Sequence, residues 1–102
     1  MTEITTLEEL TAIAKDAKTV AYFSAPWCGP CKALGPIMEA VASEAPDTKF
    51  VKIDVDNAPE LASKYGVRSI PLLVLIEHEQ EKKRLVGLRA KDEIKSEFNL
   101  SK

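Results

Sequence analysis

Apolar residues recur along this chain in two alternating rhythms. Between Thr6 and Lys18, Leu7, Leu10, Ile13, Ala14 and Ala17 return every three or four positions, the period of a helix with one buried face. Thr6 and Glu9 form the Thr-x-x-Glu pattern of a capping box at its start. The next stretch, TVAYFSA, is a short apolar run rich in strand formers. The helical period returns in CKALGPIMEAVASEA, where Leu34, Ile37, Met38, Val41 and Ala42 share a stripe. Pro36 sits inside that stripe and removes a backbone donor, which predicts a kink.

TKFVKIDV then reads as a buried strand. DNAPELASKYG reads as a short helix, with Asp56 or Asn57 as cap, Pro59 in the first turn and Gly66 as stop. PLLVLIE is the most apolar strand and KKRLVG a weaker one. HEQE between them lacks the Gly or Asn that a tight hairpin prefers. AKDEIKSEFNL closes as a helix with Ile94 and Phe98 on one face, and an edge strand at Glu3–Thr5 is a further candidate. Alternation of helix and strand implies parallel crossovers, and the final hairpin adds antiparallel strands. The expected class is α/β, a mixed central sheet of four to five strands with helices on both faces. No linker, repeat or low-complexity tract divides residues 1–102, so one domain is expected.

Composition narrows the function. The chain has 102 residues, 45% hydrophobic and 29% charged, with 14 basic against 16 acidic side chains and a net charge of -2. A nucleic-acid binder would show a basic surplus or stripe, so no nucleic acid and no membrane partner is expected. MTEITTLEEL carries no basic n-region and no long apolar run, so a cytoplasmic location is expected. There, two cysteines are redox-active, metal-bound or inert rather than a permanent bridge.

Both cysteines lie in SAPWCGPCKALGP. Cys28 follows a predicted strand and begins a predicted helix. Residues i and i+3 of a helix have Cα atoms about 5 Å apart, inside the window a disulfide tolerates. The two sulfurs differ in setting. At the helix start, free N–H groups and the dipole favour a thiolate, which makes Cys28 the nucleophile. Cys31, one turn inside, is expected to be less exposed and to resolve the mixed disulfide that Cys28 forms. Pro30 falls where a missing N–H costs nothing, Gly29 lies beside it, and Trp27 offers a flat apolar surface. A zinc site would need two more ligands, and the chain has one histidine, His78, in a polar run read as surface. No metal is expected.

WCGPC, Trp27 to Cys31, resembles the thioredoxin active-site motif, and the chain is similar to thioredoxins over about residues 4 to 100. Ala25-Pro26 before the motif, Lys32 after it, Pro36, the segment KIDVDNAPELASKYGVRSIP and Gly87 by its spacing extend the likeness. The resemblance implies the thioredoxin fold and protein-disulfide reductase activity. It implies no bound cofactor, electrons from an external reductant of the thioredoxin reductase kind, and disulfide-containing partner proteins met as a monomer. It also implies a cis Ile70–Pro71 bond against the cysteines, and a partner groove of Trp27, Gly29, Pro30, Ser69, Ile70, Pro71, Val86 and Gly87. The alternative is a protein-binding scaffold with dispensable cysteines.

Three positions depart from the family around the site, and a fourth follows from them. Tyr22 stands where thioredoxins usually bury an Asp that moves protons at the inner cysteine. A phenol titrates near ~10 and is a poor base at neutral pH, so Tyr22 is expected to slow activation of Cys31 without abolishing it. Lys52 loses the partner that Asp would be, leaving Asp54, Asp56 or water. Ser24 replaces a common second Trp. Leu72 replaces a Thr after Pro71, predicting a more apolar groove edge.

Overall fold

The nine elements of the computed structural model, which describes residues 1–100, follow the predicted order. They are β1 (Thr2–Glu3), α1 (Leu7–Ala14), β2 (Lys18–Ser24), α2 (Gly29–Ser43), β3 (Thr48–Asp54), α3 (Pro59–Lys64), β4 (Leu72–Glu77), β5 (Gln80–Val86) and α4 (Lys91–Glu97). The strands form one sheet in the order β1-β3-β2-β4-β5. The pairs β1–β3 and β2–β3 are parallel, and β2–β4 and β4–β5 antiparallel. This is the predicted mixed sheet. No helix among the described residues is long and apolar enough to cross a membrane.

Period-two alternation sorts the strands onto two cores. Val20 and Tyr22 of β2, Phe50 of β3, and Leu73 and Leu75 of β4 pack with Leu34, Met38 and Val41 of α2 and with Ile94 and Phe98 of the C-terminal segment. Ala21, Phe23, Val51, Ile53, Leu72, Val74 and Ile76 face the other way, onto Leu10 and Ala14 of α1 and Leu61 of α3. With both faces covered, β2 needs apolar residues at nearly every position, which explains its unbroken run. Burying a side chain such as Ile94 or Phe98, each with no exposure, stabilises by about 1.5–3 kcal/mol.

The capping box of α1 is present. The Thr6 hydroxyl accepts the Glu9 N–H at 3.1 Å, and the Glu9 carboxylate accepts the Thr5 and Thr6 N–H groups at 2.9 and 3.1 Å. Those two N–H groups hold the Glu9 carboxyl below its ordinary range. The α3 cap differs from expectation. Its N-cap is Ala58, with no side-chain bond. Asp54 organises that turn instead: its carbonyl accepts the Asn57 and Ala58 N–H groups, and its carboxylate accepts the Asp56 N–H at 2.9 Å. The edge strand lies at Thr2–Glu3 rather than Glu3–Thr5. The final hairpin closes on two residues, His78 and Glu79, with φ of 53° and 65°. These are the left-handed values a tight turn demands, imposed on residues that do not favour them by the pairing of β4 with β5.

Glu44, just past α2, ties that helix to α4 by accepting from Lys91 at 2.6 Å and Lys95 at 2.5 Å. These bonds hold its carboxyl down to about 2. A depressed carboxylate stabilises the fold above its unfolded value near 4.5 and loses that contribution as pH falls toward about 2. Glu44→Gln is therefore expected to flatten the acid limb of stability across that window. Urea midpoints of both proteins, measured from pH 6 to pH 2, check this; parallel curves would refute it.

Candidate active site

Cys28 is the N-cap of α2, with Pro30 in the first turn, because β2 ends at Ser24 and a short loop turns the chain into the helix. Cys28 and Cys31 are joined by a disulfide, their Cα atoms 5.3 Å apart, as the three-residue spacing predicts. The Cys31 N–H, free at the helix start, points to Cys28 Sγ at 3.2 Å. This donor and the helix dipole favour negative charge on Cys28.

Exposure does not separate the two thiols as expected. Cys28 is 5% exposed and Cys31 3%. Ala25 clusters with the two cysteines, and Val55 and Ile70 pack against that cluster. What distinguishes Cys28 is the donor at its sulfur.

The predicted groove residues fall into two groups. Trp27, 68% exposed, and Val86, 46% exposed, project into solvent with Leu88, which sequence reasoning passed over. Gly29, Pro30 and Ser69 are also exposed, whereas Ile70 and Gly87 are half-buried and Pro71 is buried. The Ile70–Pro71 bond is cis. The Gly87 N–H donates to the Pro71 carbonyl at 2.8 Å and so ties the end of β5 to the loop beside the cysteines. Gly87 has φ of 94°, where a side chain would be strained. The Trp27 indole N–H donates to the Asp56 carboxylate at 2.8 Å and fixes the ring's plane. Asp56 is thus a site residue, not the cap or lysine partner expected of it. Leu72 is 1% exposed and belongs to the core facing α1 and α3. It lines no groove, because β4 turns it to the opposite face.

Tyr22 is 1% exposed, and its hydroxyl donates to the Cys31 backbone carbonyl at 2.5 Å. Burial pushes its phenol above the ordinary value, so it stays protonated. Lys52 reaches neither Asp54 nor Asp56: among the described residues it makes no ion pair and no side-chain hydrogen bond. Instead it lines a cleft of about 460 Å³ with Glu3, Tyr22, Ser24, Cys31 and Asp54. Ser24 is small and leaves this space open behind Cys31.

A redox-capable cysteine pair at a helix start on a five-stranded mixed sheet limits the families the chain can join. The thioredoxin family model matches residues 2–99. The chain belongs to the thioredoxin family. It is 43% identical over 96 residues to the thioredoxin of Mycoplasmoides gallisepticum, covering 93% of this chain and 96% of that one. It is 39% identical over 93 residues to the thioredoxin of Bacillus subtilis, covering 90% and 89%. Its fold is similar to that of a mutant thioredoxin from Halobacterium salinarum, with a TM-score of 0.91 and 37% identity, covering 96% and 87%. This thioredoxin-family chain is a thiol–disulfide oxidoreductase, a protein-disulfide reductase working through the Cys28–Cys31 pair.

Proposed function

We propose that Cys28 attacks a disulfide in a partner protein and that Cys31 resolves the mixed disulfide. In the first step the Cys28 thiolate bonds one partner sulfur and expels the other as a thiolate. In the second the Cys31 thiolate bonds Cys28 Sγ, and the partner sulfur held by Cys28 leaves as a thiolate. The partner gains two electrons, and the site returns to the disulfide. An external protein reductase reopens it, with no cofactor resident in the chain.

The observation that carries the assignment is the Cys31 N–H directed at Cys28 Sγ. It stabilises the attacking thiolate before substrate arrives and becomes a helix-start bond to the disulfide afterwards. Trp27, Gly29, Pro30, Ile70 and Val86 form the apolar docking surface, with the backbone beside Ser69–Pro71 pairing an extended substrate strand. Lys52 and Tyr22 support Cys31. The protein acts as a cytoplasmic monomer. The scaffold alternative gains no support from a site in which both thiols are bridged and one has a dedicated donor.

Limited alkylation of the reduced protein at pH 7 tests the roles. Cys28 is expected to react at least about tenfold faster than Cys31, following thiolate fraction, as mapped by peptide mass. Equal labelling, or faster labelling of Cys31, would reverse the assignment.

A further inference from the structure

We propose that Arg89 is a positioning residue for partner docking: its guanidinium fixes the Val86–Gly87 peptide and so holds Val86 and Leu88 outward as a preformed wall for an apolar segment of the partner. This rests on the reading that the partner docks across the surface that includes Trp27, Ile70 and Val86.

Trp27, Val86 and Leu88 are the exposed large apolar side chains of the described residues, and two of them flank Gly87. Gly87 has φ of 94°, and glycine gives a backbone more freedom than any other residue. It follows β5, the outermost strand of the sheet, so one side of the backbone has no neighbouring strand. A wall built on such a segment would fluctuate unless something beyond the sheet fixed it.

The peptide between Val86 and Gly87 is bonded on both sides. Its N–H donates to the Pro71 carbonyl at 2.8 Å. The peptide is trans, so its carbonyl points the opposite way, off the open edge of β5. Arg89 meets it there: Nε and Nη2 donate to the Val86 oxygen at 3.2 and 3.0 Å. Nη1 donates to the Glu93 carboxylate at 2.8 Å. Glu93 belongs to the first turn of α4, whose N-cap Ala90 supplies no side-chain bond. The guanidinium is thus anchored on a helix at one end and on the groove's backbone at the other.

A line of hydrogen bonds runs from Glu93 through Arg89 and the Val86–Gly87 peptide to Pro71, beside the cysteines. Bonds in series polarise one another, and the charged donor at the Val86 end strengthens the series. The planar fork of arginine serves both acceptors at once, whereas a lysine is a point donor. Fixing the wall before the partner arrives removes part of the ordering cost of docking. The Arg89 and Glu93 side chains are 32% and 45% exposed, and ion pairs so placed add little to stability. The effect is therefore expected in docking, not in folding.

The test compares the reduced parent with Arg89→Met, Arg89→Lys and Val86→Ser on two disulfides. One is insulin, a protein substrate; the other is bis(2-hydroxyethyl) disulfide, which is too small to reach the wall. Arg89→Met is expected to lower the ratio of the two second-order rate constants, insulin over the small disulfide, by at least about threefold. Arg89→Lys, which keeps the charge without the fork, is expected to lower it comparably. The Gly87 amide of Arg89→Met is expected to exchange with solvent at least about threefold faster by NMR, with urea midpoints matching the parent's. An unchanged ratio or an unchanged Gly87 exchange rate in Arg89→Met would overturn the inference, as would a parental ratio in Arg89→Lys. If Val86→Ser lowers the ratio and Arg89→Met does not, only the role of Arg89 fails. If neither lowers it, the docking surface itself is wrong.

Discussion

Cys28→Ser is expected to reduce disulfide reduction by at least about three orders of magnitude, to the rate of the chemical reductant alone. Loss of a nucleophile removes the covalent route rather than weakening it. The remaining thiol, Cys31, has no such N–H donor at its sulfur among the described residues and lies one turn inside α2. It cannot inherit the role by moving, because the helix holds it against Ala25 and Ile70. The fold should persist in the reduced state, since both cores exist without the cysteines. Turnover of a generic protein disulfide, with urea midpoints as control, measures this. Residual turnover above a tenth of the parent's would contradict it.

Tyr22→Asp is expected to cost about 3 kcal/mol of stability at neutral pH. Tyr22 is 1% exposed and packs with Leu34, Met38 and Leu73, and truncating a core aromatic costs about 3–5 kcal/mol. The incoming carboxylate adds a desolvation cost, partly offset by cleft water and by Lys52 in the neighbouring register position. For a chain of this size the melting temperature should fall by more than about 10 °C. Burial raises a carboxyl pKa, so its neutral form is tolerated at low pH and the cost grows as pH rises through the folded value. The deficit relative to the parent should therefore be smaller at pH 4 than at pH 8. An unchanged or raised melting temperature would show that the ring contributes little to the core.

Much of this molecule was legible as sequence. Period-two and period-3.6 patterns place the elements because each strand or helix has a face to bury, and the Thr6–Glu9 box marks a helix start through purely local bonds. The cysteine pair was legible because its chemistry depends on spacing and on a helix start, both local. What escaped depends on tertiary placement. The left-handed His78–Glu79 turn is imposed by strand pairing. Asp54 organises the entry to α3 from the end of β3, in place of the residues nearer the helix. The cluster of Ala25 and the two cysteines is packed by Val55 and Ile70, which are far from it in sequence. The bond from Trp27 to Asp56 spans 29 positions. Leu72 could not be assigned to a face until the register of β4 was known. Tyr22 raised the right question, but only its position shows that it donates to Cys31 rather than accepting from it.

The most direct test mixes each single-cysteine variant with a disulfide-containing partner and weighs the products by intact mass under non-reducing conditions. With Cys31→Ser, a stable adduct of one chain and one partner through Cys28 is expected. With Cys28→Ser, little or no adduct should form. Equal trapping by both variants, or trapping by Cys28→Ser alone, would contradict the account.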